Sequence, residues 1–330
     1  MASLDKYILE KTQLGYEWDE FVVSSTFGTP FSLSCFLNAL SRPIHCYFCK
    51  KGSEIVAGVV LILSDDEREV TGHGLAVYDG IIYKDFPQLN NSQRNSEQFK
   101  AQQFIGESLV KLYERLRFTL NPMIQDIRAL SWINYHSELA KFTPQVNYSS
   151  QVELNEFRVK HDFSDYKLYK EASVSRRQEI RYGFKKGVSI EFSKDYSAFI
   201  AFYKLTMERQ SIDVNKSDEN VILALLLALD SHGIIKMFKA VDKAGQIGSY
   251  AVYLIGFNKI AYYLFGANDP KMRNAHTGTA VIWQALTYLA DYGMERLDLE
   301  GINSPMRGWF KLSFGGSVIP YFRLNYDSEG

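Results

Sequence analysis

Short runs of apolar or alternating residues recur along the chain, and this pattern is typical of β-strands. Two such runs, residues 44–50 ("IHCYFCK") and 54–64 ("EIVAGVVLILS"), are separated by a short turn and predict a β-hairpin. Residues 234–241 and 246–256 repeat this arrangement in the second half of the chain. The pattern therefore predicts two separate hairpins.

Apolar residues at helical spacing follow each hairpin. Residues 96–118 predict one long helix, and residues 124–133 predict a strand. In the second half, residues 276–293 predict a helix. Residues 305–313 predict a short helix with Pro305 in its first turn, where a missing backbone N–H costs nothing.

The two halves show the same order of helices, hairpin, strand, helix and strand. A glycine, Gly58 or Gly248, lies early in the return strand of each hairpin. We therefore predict an α/β (α+β) protein of two similar domains in tandem, residues 1–160 and 161–330. Each domain should contain a mixed, mostly antiparallel sheet flanked by helices.

Composition and charge narrow the possible partners. The 330 residues are 46% hydrophobic, and 37 Lys and Arg against 38 Asp and Glu leave a net charge of -1. No global basic excess points to DNA, so anion binding must come from a local patch. The most apolar helical run, residues 221–229, is too short to cross a bilayer. Without an apolar leader at the start, we expect no integral membrane segment and a cytoplasmic protein.

The chain has three cysteines, Cys35, Cys46 and Cys49. Cys46 and Cys49 have the spacing of a zinc or redox pair, but they lie in a predicted strand. Alternation would place them on opposite faces, and no second cysteine pair completes a metal site. We expect inert thiols and no metal.

The C-terminal region carries a combination of motifs that resembles the FemABX family of acyltransferases. An acidic strand end, 298–301 ("DLEG"), precedes "GWFK" (308–311) and "FGG" (314–316). The basic stretch 175–192 resembles the start of the second domain in that family. The order of elements in each half is similarly that of the GNAT fold, so the resemblance implies two GNAT-like domains.

The resemblance implies an enzyme that transfers an acyl or aminoacyl group to an amine. Its acceptor would be a UDP-linked cell-wall precursor or an amino sugar. The donor, an aminoacyl-tRNA or an acyl-CoA, would be a co-substrate, so no bound cofactor is expected. Two alternatives stay open: a non-catalytic double-GNAT protein that binds a nucleotide sugar or a partner, and a CoA-dependent N-acetyltransferase acting on a small amine.

Lys311 is the candidate catalytic residue, with Phe310 beside it as a substrate-binding candidate. In the family, the lysine of this aromatic–lysine pair stabilises the transition state or holds the donor. A cation can stabilise the negative charge that develops on a carbonyl oxygen during acyl transfer. The alternative is a structural lysine whose stem covers apolar surface.

Arg177, Arg181 and Lys185 follow one another at intervals of four residues and share one face of a predicted helix. Such a ladder can bind the phosphates of a UDP-sugar or of tRNA. The alternative is a solvated basic face.

Two further substrate-binding candidates are Arg209 and Tyr263. The resemblance suggests that an arginine near Arg209 binds phosphates or carboxylates of the acceptor. Tyr263 lies on the strand that should line the cleft, although a core position explains it equally well.

CoA-dependent GNAT proteins bind pyrophosphate at a glycine-rich helix start. The corresponding stretch here runs from Arg273 to Gly278, with His276 at the first glycine position. Thr277 and Gly278 are the cofactor-binding candidates, at the N-terminus of the predicted helix. Because backbone must approach phosphate closely, the missing glycine predicts weak CoA binding.

Overall fold

The computed structural model describes residue 4, residues 6–159 and residues 161–329. Within them the chain forms two compact units. Unit 1 extends to Asn147 and also takes in the residues from Pro320 onward, and unit 2 comprises Tyr148–Ile319. Residue 160, where the sequence analysis ends the first domain, lies outside the described residues. The C-terminal strand belongs to unit 1, although the sequence analysis assigned it to the second domain.

Unit 1 combines an antiparallel sheet with one long and several short helices. In chain order its elements are β1 (Tyr7–Thr12), α1 (Tyr16–Ser24), α2 (Ser34–Asn38), β2 (Ile44–Lys51), β3 (Glu54–Ile62), β4 (Glu69–Val70), β5 (Gly80–Tyr83), α3 (Asn91–Leu112), β6 (Arg115–Thr119) and α4 (Arg128–Ser131). Strands β1, β2, β3 and β5 form the sheet in that order, and β6 pairs in parallel with β4. The first predicted hairpin, β2–β3, is confirmed.

The core of unit 1 lies between this sheet and α3. Ile105 and Leu109 of α3 pack in one cluster with Val59 and Leu61 of β3, and all four are fully buried. On the other side of β3, a side chain at Gly58 would meet the ring of Phe21 in α1 at 2.7 Å. The glycine therefore lets α1 approach the strand closely.

Two sequence predictions in unit 1 are wrong. The long helix ends at Leu112, and residues 115–119 form β6. Here Leu116 and Phe118 are buried while Arg115 and Arg117 are exposed, which is the two-residue period of a strand. Residues 124–133 contain the short helix α4 where a strand was predicted, because a short apolar run fits either structure.

Unit 2 begins within the long strand β7 (Thr143–Glu153). Its further elements are α5 (Lys167–Glu171), α6 (Val174–Lys185), β8 (Ser189–Phe192), α7 (Tyr196–Glu208), α8 (Lys216–Ser231), β9 (Ile235–Val241), β10 (Ile247–Ile255), β11 (Ile260–Asn268), α9 (Thr277–Asp291), β12 (Arg296–Gly301) and α10 (Pro305–Leu312). Its strands are ordered β7–β12–β11–β10–β9–β8, and β11 and β12 are the parallel pair. The last strand, β13 (Ser317–Asp327), returns to unit 1 and pairs antiparallel with β6.

The ends of the helices in unit 2 follow from local sequence. The hydroxyl of Ser173 accepts a hydrogen bond of 3.2 Å from the backbone N–H of Arg176 and caps α6. Gly233 follows the end of α8 with a φ of 70°, a conformation that suits glycine. Pro305 is at the start of α10. The predicted second hairpin, β9–β10, is confirmed as well.

The apolar helix α9 covers one face of the unit 2 sheet. Its Trp283, Leu286 and Leu289 are buried in one cluster with Ala251 of β10 and Leu297 of β12. Burying side chains of this size stabilises a fold by roughly 1.5–3 kcal/mol each. The free ends of β11 and β12 are therefore held on a rigid support.

Cys46 and Cys49 lie buried in β2, and burial raises the pKa of both thiols. Neither is poised as a thiolate at neutral pH, which agrees with inert cysteines. Among the described residues, no helix combines the length and hydropathy that a bilayer-spanning segment requires.

Candidate active site

A gap opens between β11 and β12 of unit 2. The two strands pair through Ile260–Arg296, Ala261–Leu297 and Tyr262–Asp298, at the beginning of each strand. Beyond these three pairs β11 continues to Asn268 and β12 to Gly301. Both strands are fully described, and they form no further pairs with each other. Ligands of α/β proteins bind beyond the carboxyl ends of parallel strands. This gap is therefore where a site is expected.

A register shift in β12 shapes the floor of the gap. Pairing with β7 slips between Asp298 and Gly301, and Glu300 adopts a left-handed φ of 60°. The carboxylate of Asp298 stabilises this turn, because its Oδ1 accepts a 2.7 Å hydrogen bond from the backbone N–H of Glu300. A non-glycine residue in this conformation carries strain that the surrounding structure must maintain.

Neighbouring strand residues hold Asp298 in place. The Ser149 hydroxyl donates to Oδ1 of Asp298, and Nε2 of Gln151 lies 3.2 Å from Oδ2. Asp298 is itself almost fully buried. Its oxygens are therefore occupied in supporting the turn.

Glu300 presents the opposite case. Its side chain is only 6% exposed, and its Oε1 is buried with no hydrogen-bond partner among the described residues. Burial raises the pKa of this carboxyl well above its ordinary value; the charge of Lys311 opposes that rise and Asp298 adds to it. A buried acceptor without a partner costs stability, so its retention points to a role.

Lys311 extends from α10 into the same gap. Its Nζ donates a 3.3 Å hydrogen bond to the carbonyl of Gly301, the residue after Glu300. The same nitrogen lies 5.7 Å from the centre of the Tyr263 ring on β11. Burial lowers the pKa of Lys311, and the charge of Glu300 opposes this effect. The structure thus brings together a lysine, a carboxyl and a phenol from three elements.

Tyr263 lines the gap from the β11 side and packs against the core of unit 2. Burial and the nearby Glu300 carboxylate both raise the pKa of its phenol, which stays protonated at neutral pH. Its hydroxyl reaches over Gly266, where any side chain would collide with it. The glycine therefore leaves room for the tyrosine at the gap.

Phe310 packs against a buried arginine, Arg176, that sequence reasoning did not select. The guanidinium of Arg176 packs against both Phe310 and Phe314, at 4.4 and 4.5 Å from the two ring centres. Arg176 Nε also donates to the Ser313 hydroxyl at 2.9 Å, and its Nη1 donates to Glu179. Arg176 thereby ties α6 to the end of α10.

The predicted basic ladder lies on α6. Arg181 and Lys185 are exposed, and Arg177 is half-buried. The guanidinium of Arg181 lies 5.6 Å from the ring centre of the adjacent Tyr182. Arg176, the residue before the ladder, is the one that turns inward.

Arg209 is exposed at the end of α7. The following residue, Gln210, accepts a 2.9 Å hydrogen bond from Nε of Arg307 on α10. Arg307 lies one helical turn before Lys311, and its charge contributes to lowering the lysine pKa. Sequence reasoning did not select Arg307, although its spacing of four residues from Lys311 was a usable signal.

The start of α9 differs from a glycine-rich phosphate loop. His276 adopts the left-handed φ of 63° that a glycine would favour, and its ring stacks on Tyr182 with centres 5.6 Å apart. Thr277 is buried and its hydroxyl lies 2.8 Å from that of Ser249. A side chain at Gly278 would meet Asn268 at 2.6 Å. Thr277 and Gly278 thus both have packing roles at this helix start.

Solved structures with the same arrangement of elements exist, at very low sequence identity. FemX matches with a TM-score of 0.66 and 13% identity, over 95% of this chain and 96% of that chain. The chain has the tandem-GNAT fold. A tandem GNAT protein from the clavulanic acid biosynthesis pathway matches with a TM-score of 0.53 and 12% identity, over 98% and 99% of the two chains. The predicted α/β fold of two GNAT-like domains is confirmed.

A third match is the C-terminal domain of a putative lysylphosphatidylglycerol synthetase from Agrobacterium fabrum. Its TM-score is 0.54 at 11% identity, over 94% of this chain and 90% of that chain. No protein-family model and no curated protein matches the sequence. The resemblance to FemABX proteins is thus supported at the level of fold.

Proposed function

We propose that this protein is an acyltransferase that moves an acyl or aminoacyl group onto an amine. The observation that carries the proposal is Lys311, held beside Tyr263 and Gly301 in the gap between β11 and β12. The fold that the chain shares with FemX and with a tandem GNAT protein supports this reading. Because a fold alone does not determine activity, the lysine is the point to test.

In this proposal Lys311 stabilises the oxyanion of the tetrahedral intermediate. The cation lies in a largely dry environment, where its attraction to a developing negative charge is much stronger than in water. Its hydrogen bond to the Gly301 carbonyl orients the head group before substrate arrives. A preoriented charge adds stabilisation mainly in the transition state, so it increases turnover.

The proposed acceptor is an amine of a UDP-linked cell-wall precursor or of a nucleotide-linked amino sugar. Both compounds carry phosphates, and the exposed cations Arg181 and Lys185, with Arg177, offer a complementary surface. Arg307, bonded to Gln210, and the neighbouring exposed Arg209 supply further cations.

For the donor we favour an aminoacyl ester of tRNA over acyl-CoA. At the helix start the His276 ring stacks on Tyr182, and the Asn268 side chain packs closely against Gly278. This arrangement leaves less access for a pyrophosphate than a glycine loop would. Since such donors are cytosolic metabolites, the proposal places the reaction in the cytoplasm.

The test is a transfer assay with purified protein, labelled aminoacyl-tRNA or acetyl-CoA, and UDP-linked wall precursors or amino sugars. Lys311→Met should reduce turnover on the order of 10²-fold or more, with little change in melting temperature. Lys259→Met is the matched control, because Lys259 is an exposed lysine paired with Glu295 in the same unit. Near-normal turnover of a folded Lys311→Met protein would exclude this role for the lysine.

The same assay separates the alternatives. Binding of a UDP-linked compound without transfer from either donor would indicate a binding protein. Transfer from acetyl-CoA alone would indicate a CoA-dependent N-acetyltransferase and exclude the proposed tRNA ester.

A further inference from the structure

The carboxyl group of Glu300 has no assigned role in the function proposed above. It is held in a strained left-handed turn, almost entirely buried, and its Oε1 has no partner among the described residues. Asp298 on the same strand has a structural role, because both of its carboxylate oxygens accept hydrogen bonds from neighbouring residues. Glu300 differs from Asp298 in that its buried Oε1 lacks a donor among the described residues.

The surroundings of Glu300 define which group would suit it. Lys311 of α10 and Asp298 of β12 act on it through their charges, and the phenols of Tyr262 and Tyr263 on β11 also lie within range of its charge. The backbone N–H of Glu300 is already bonded to Asp298. In its ionised form the carboxylate only accepts hydrogen bonds, so a ligand for Oε1 would be a donor, and an ammonium group is the strongest such donor for a carboxylate.

We propose that Glu300 is the proton acceptor of this site and that the acceptor substrate is a primary amine bound initially as its ammonium ion. This inference rests on the proposed transferase function and specifies its substrate class. Glu300 and Lys311 then divide the chemistry, since the carboxylate receives the nucleophile and the lysine faces the carbonyl oxygen. A general base within hydrogen-bond reach of the proton it removes is the geometric requirement for such catalysis.

The proton and electron balance is as follows. The ammonium donates one proton to Oε1 of Glu300, and the freed nitrogen lone pair forms a bond to the carbonyl carbon of an acyl ester or thioester. The carbonyl π electrons move to the oxygen, which Lys311 stabilises. When the intermediate collapses, the C–O or C–S bond breaks, and the second proton of the nitrogen goes to the leaving oxygen or sulfur. Glu300 then releases its proton to water.

The experiment compares wild type with Glu300→Gln, which keeps the shape of the side chain and removes the base. The probes are a UDP-linked muramoyl pentapeptide with a lysine acceptor and the same precursor with an aminooxy group, which is neutral at pH 7. Glu295→Gln is the control, because Glu295 is an exposed carboxylate paired with Lys259.

We expect Glu300→Gln to lower kcat/KM about 10²–10⁴-fold with the lysine precursor and only a few-fold with the aminooxy precursor. The Glu295→Gln control should match wild type with both. Equal losses on both precursors, or no loss on either, would overturn the role of Glu300 while leaving the transferase function intact. Absence of transfer by wild type would overturn the proposed acceptor and this inference together.

Glu300→Asp covers the case in which the glutamine variant does not fold. It retains a carboxylate that is shorter by one methylene group. We expect at least a tenfold loss of kcat/KM with the lysine precursor and no comparable loss with the aminooxy precursor. Equal losses on both precursors would indicate a structural role.

Discussion

The guanidinium of Arg176 lies 4.4 Å from the centre of the Phe310 ring. Phe310 directly precedes Lys311 in the chain. Its Nε bonds to Ser313 at the end of the same helix. Burial lowers the pKa of Arg176, although an arginine stays protonated at any physiological pH. Through these contacts Arg176 helps to hold α10, and with it Lys311, at the gap.

Arg176→Met should therefore lower turnover as well as stability. The partner Glu179 remains 39% exposed and can be hydrated, so we expect a loss of about 1–3 kcal/mol in the free energy of unfolding and not the larger cost of a fully buried orphan charge. Displacement of Lys311 should reduce kcat more than tenfold. Lys194→Met is the control, because Lys194 is an exposed lysine of the same unit, and unchanged turnover in Arg176→Met would show that α10 is held by other contacts.

The pH dependence of turnover should be bell-shaped if Glu300 acts as a carboxylate and Lys311 as an ammonium. The acid limb should lie well above the ordinary range of glutamate, since burial raises the pKa of Glu300. The alkaline limb should lie below the ordinary range of lysine, since burial lowers the pKa of Lys311. The two values belong to the interacting pair.

Variants assign the two limbs. Measured as kcat/KM against pH, the acid limb should be absent in Glu300→Gln. The alkaline limb should be absent in Lys311→Arg, because arginine stays charged, even though its geometry lowers the rate. An acid limb that persists in Glu300→Gln would assign it to another group.

Asp79 in unit 1 should make stability pH-dependent. Burial raises the pKa of its carboxyl to about 7, against the bond from the Thr119 N–H and the charges of Arg117 and Arg323. A raised folded pKa means a contribution that is complete below the unfolded pKa and is lost as pH rises through about 7. Between pH 4 and pH 8 the free energy of unfolding of wild type should fall by roughly 2–4 kcal/mol more than that of Asp79→Asn. Denaturant unfolding at several pH values measures this difference, and parallel curves would contradict it.

Reversing the charges of Arg177 and Arg181 should weaken binding of phosphate-bearing substrates. Each hydrogen bond to a charged group contributes about 1.5–3 kcal/mol, so calorimetry with a UDP-linked precursor should show at least a roughly tenfold rise in Kd at low salt. The difference in Kd between variant and wild type should become smaller as salt screens the charges. Lys194→Glu with Lys259→Glu, two exposed lysines of the same unit, controls for net charge. If both double variants bind the UDP-linked precursor with equal affinity, Arg177 and Arg181 are part of a solvated face and do not bind phosphate.

Local patterns in the sequence were enough to predict much of this fold. The two hairpins and the proline start of α10 depend on neighbours within a few residues, and all three are present. The placement of α10 directly after β12 also followed from the order of elements. These features share short-range causes that a single sequence contains.

The remaining features depend on contacts far along the chain. Arg176 reads as one member of a basic stretch, and only packing against Phe310 and Thr279 turns it inward. The left-handed conformation of Glu300 arises from a register shift against β7, about 150 residues away in the chain. The spacing of residues along the sequence predicts neither the inward position of Arg176 nor the conformation of Glu300. The role of Lys311 came from a family resemblance and remains a prediction.

The return of β13 to unit 1 has a consequence for synthesis on the ribosome. Residues 323–327 pair with β6, and Leu324 belongs to the core of unit 1. All of Tyr148–Ile319 must therefore be translated before the first unit can complete its core. Until then the edge of the first unit's sheet that pairs with β13 remains unpaired, while the second unit is being synthesised. During that interval the second unit is free to fold first, in reverse of the order in which the two halves are made.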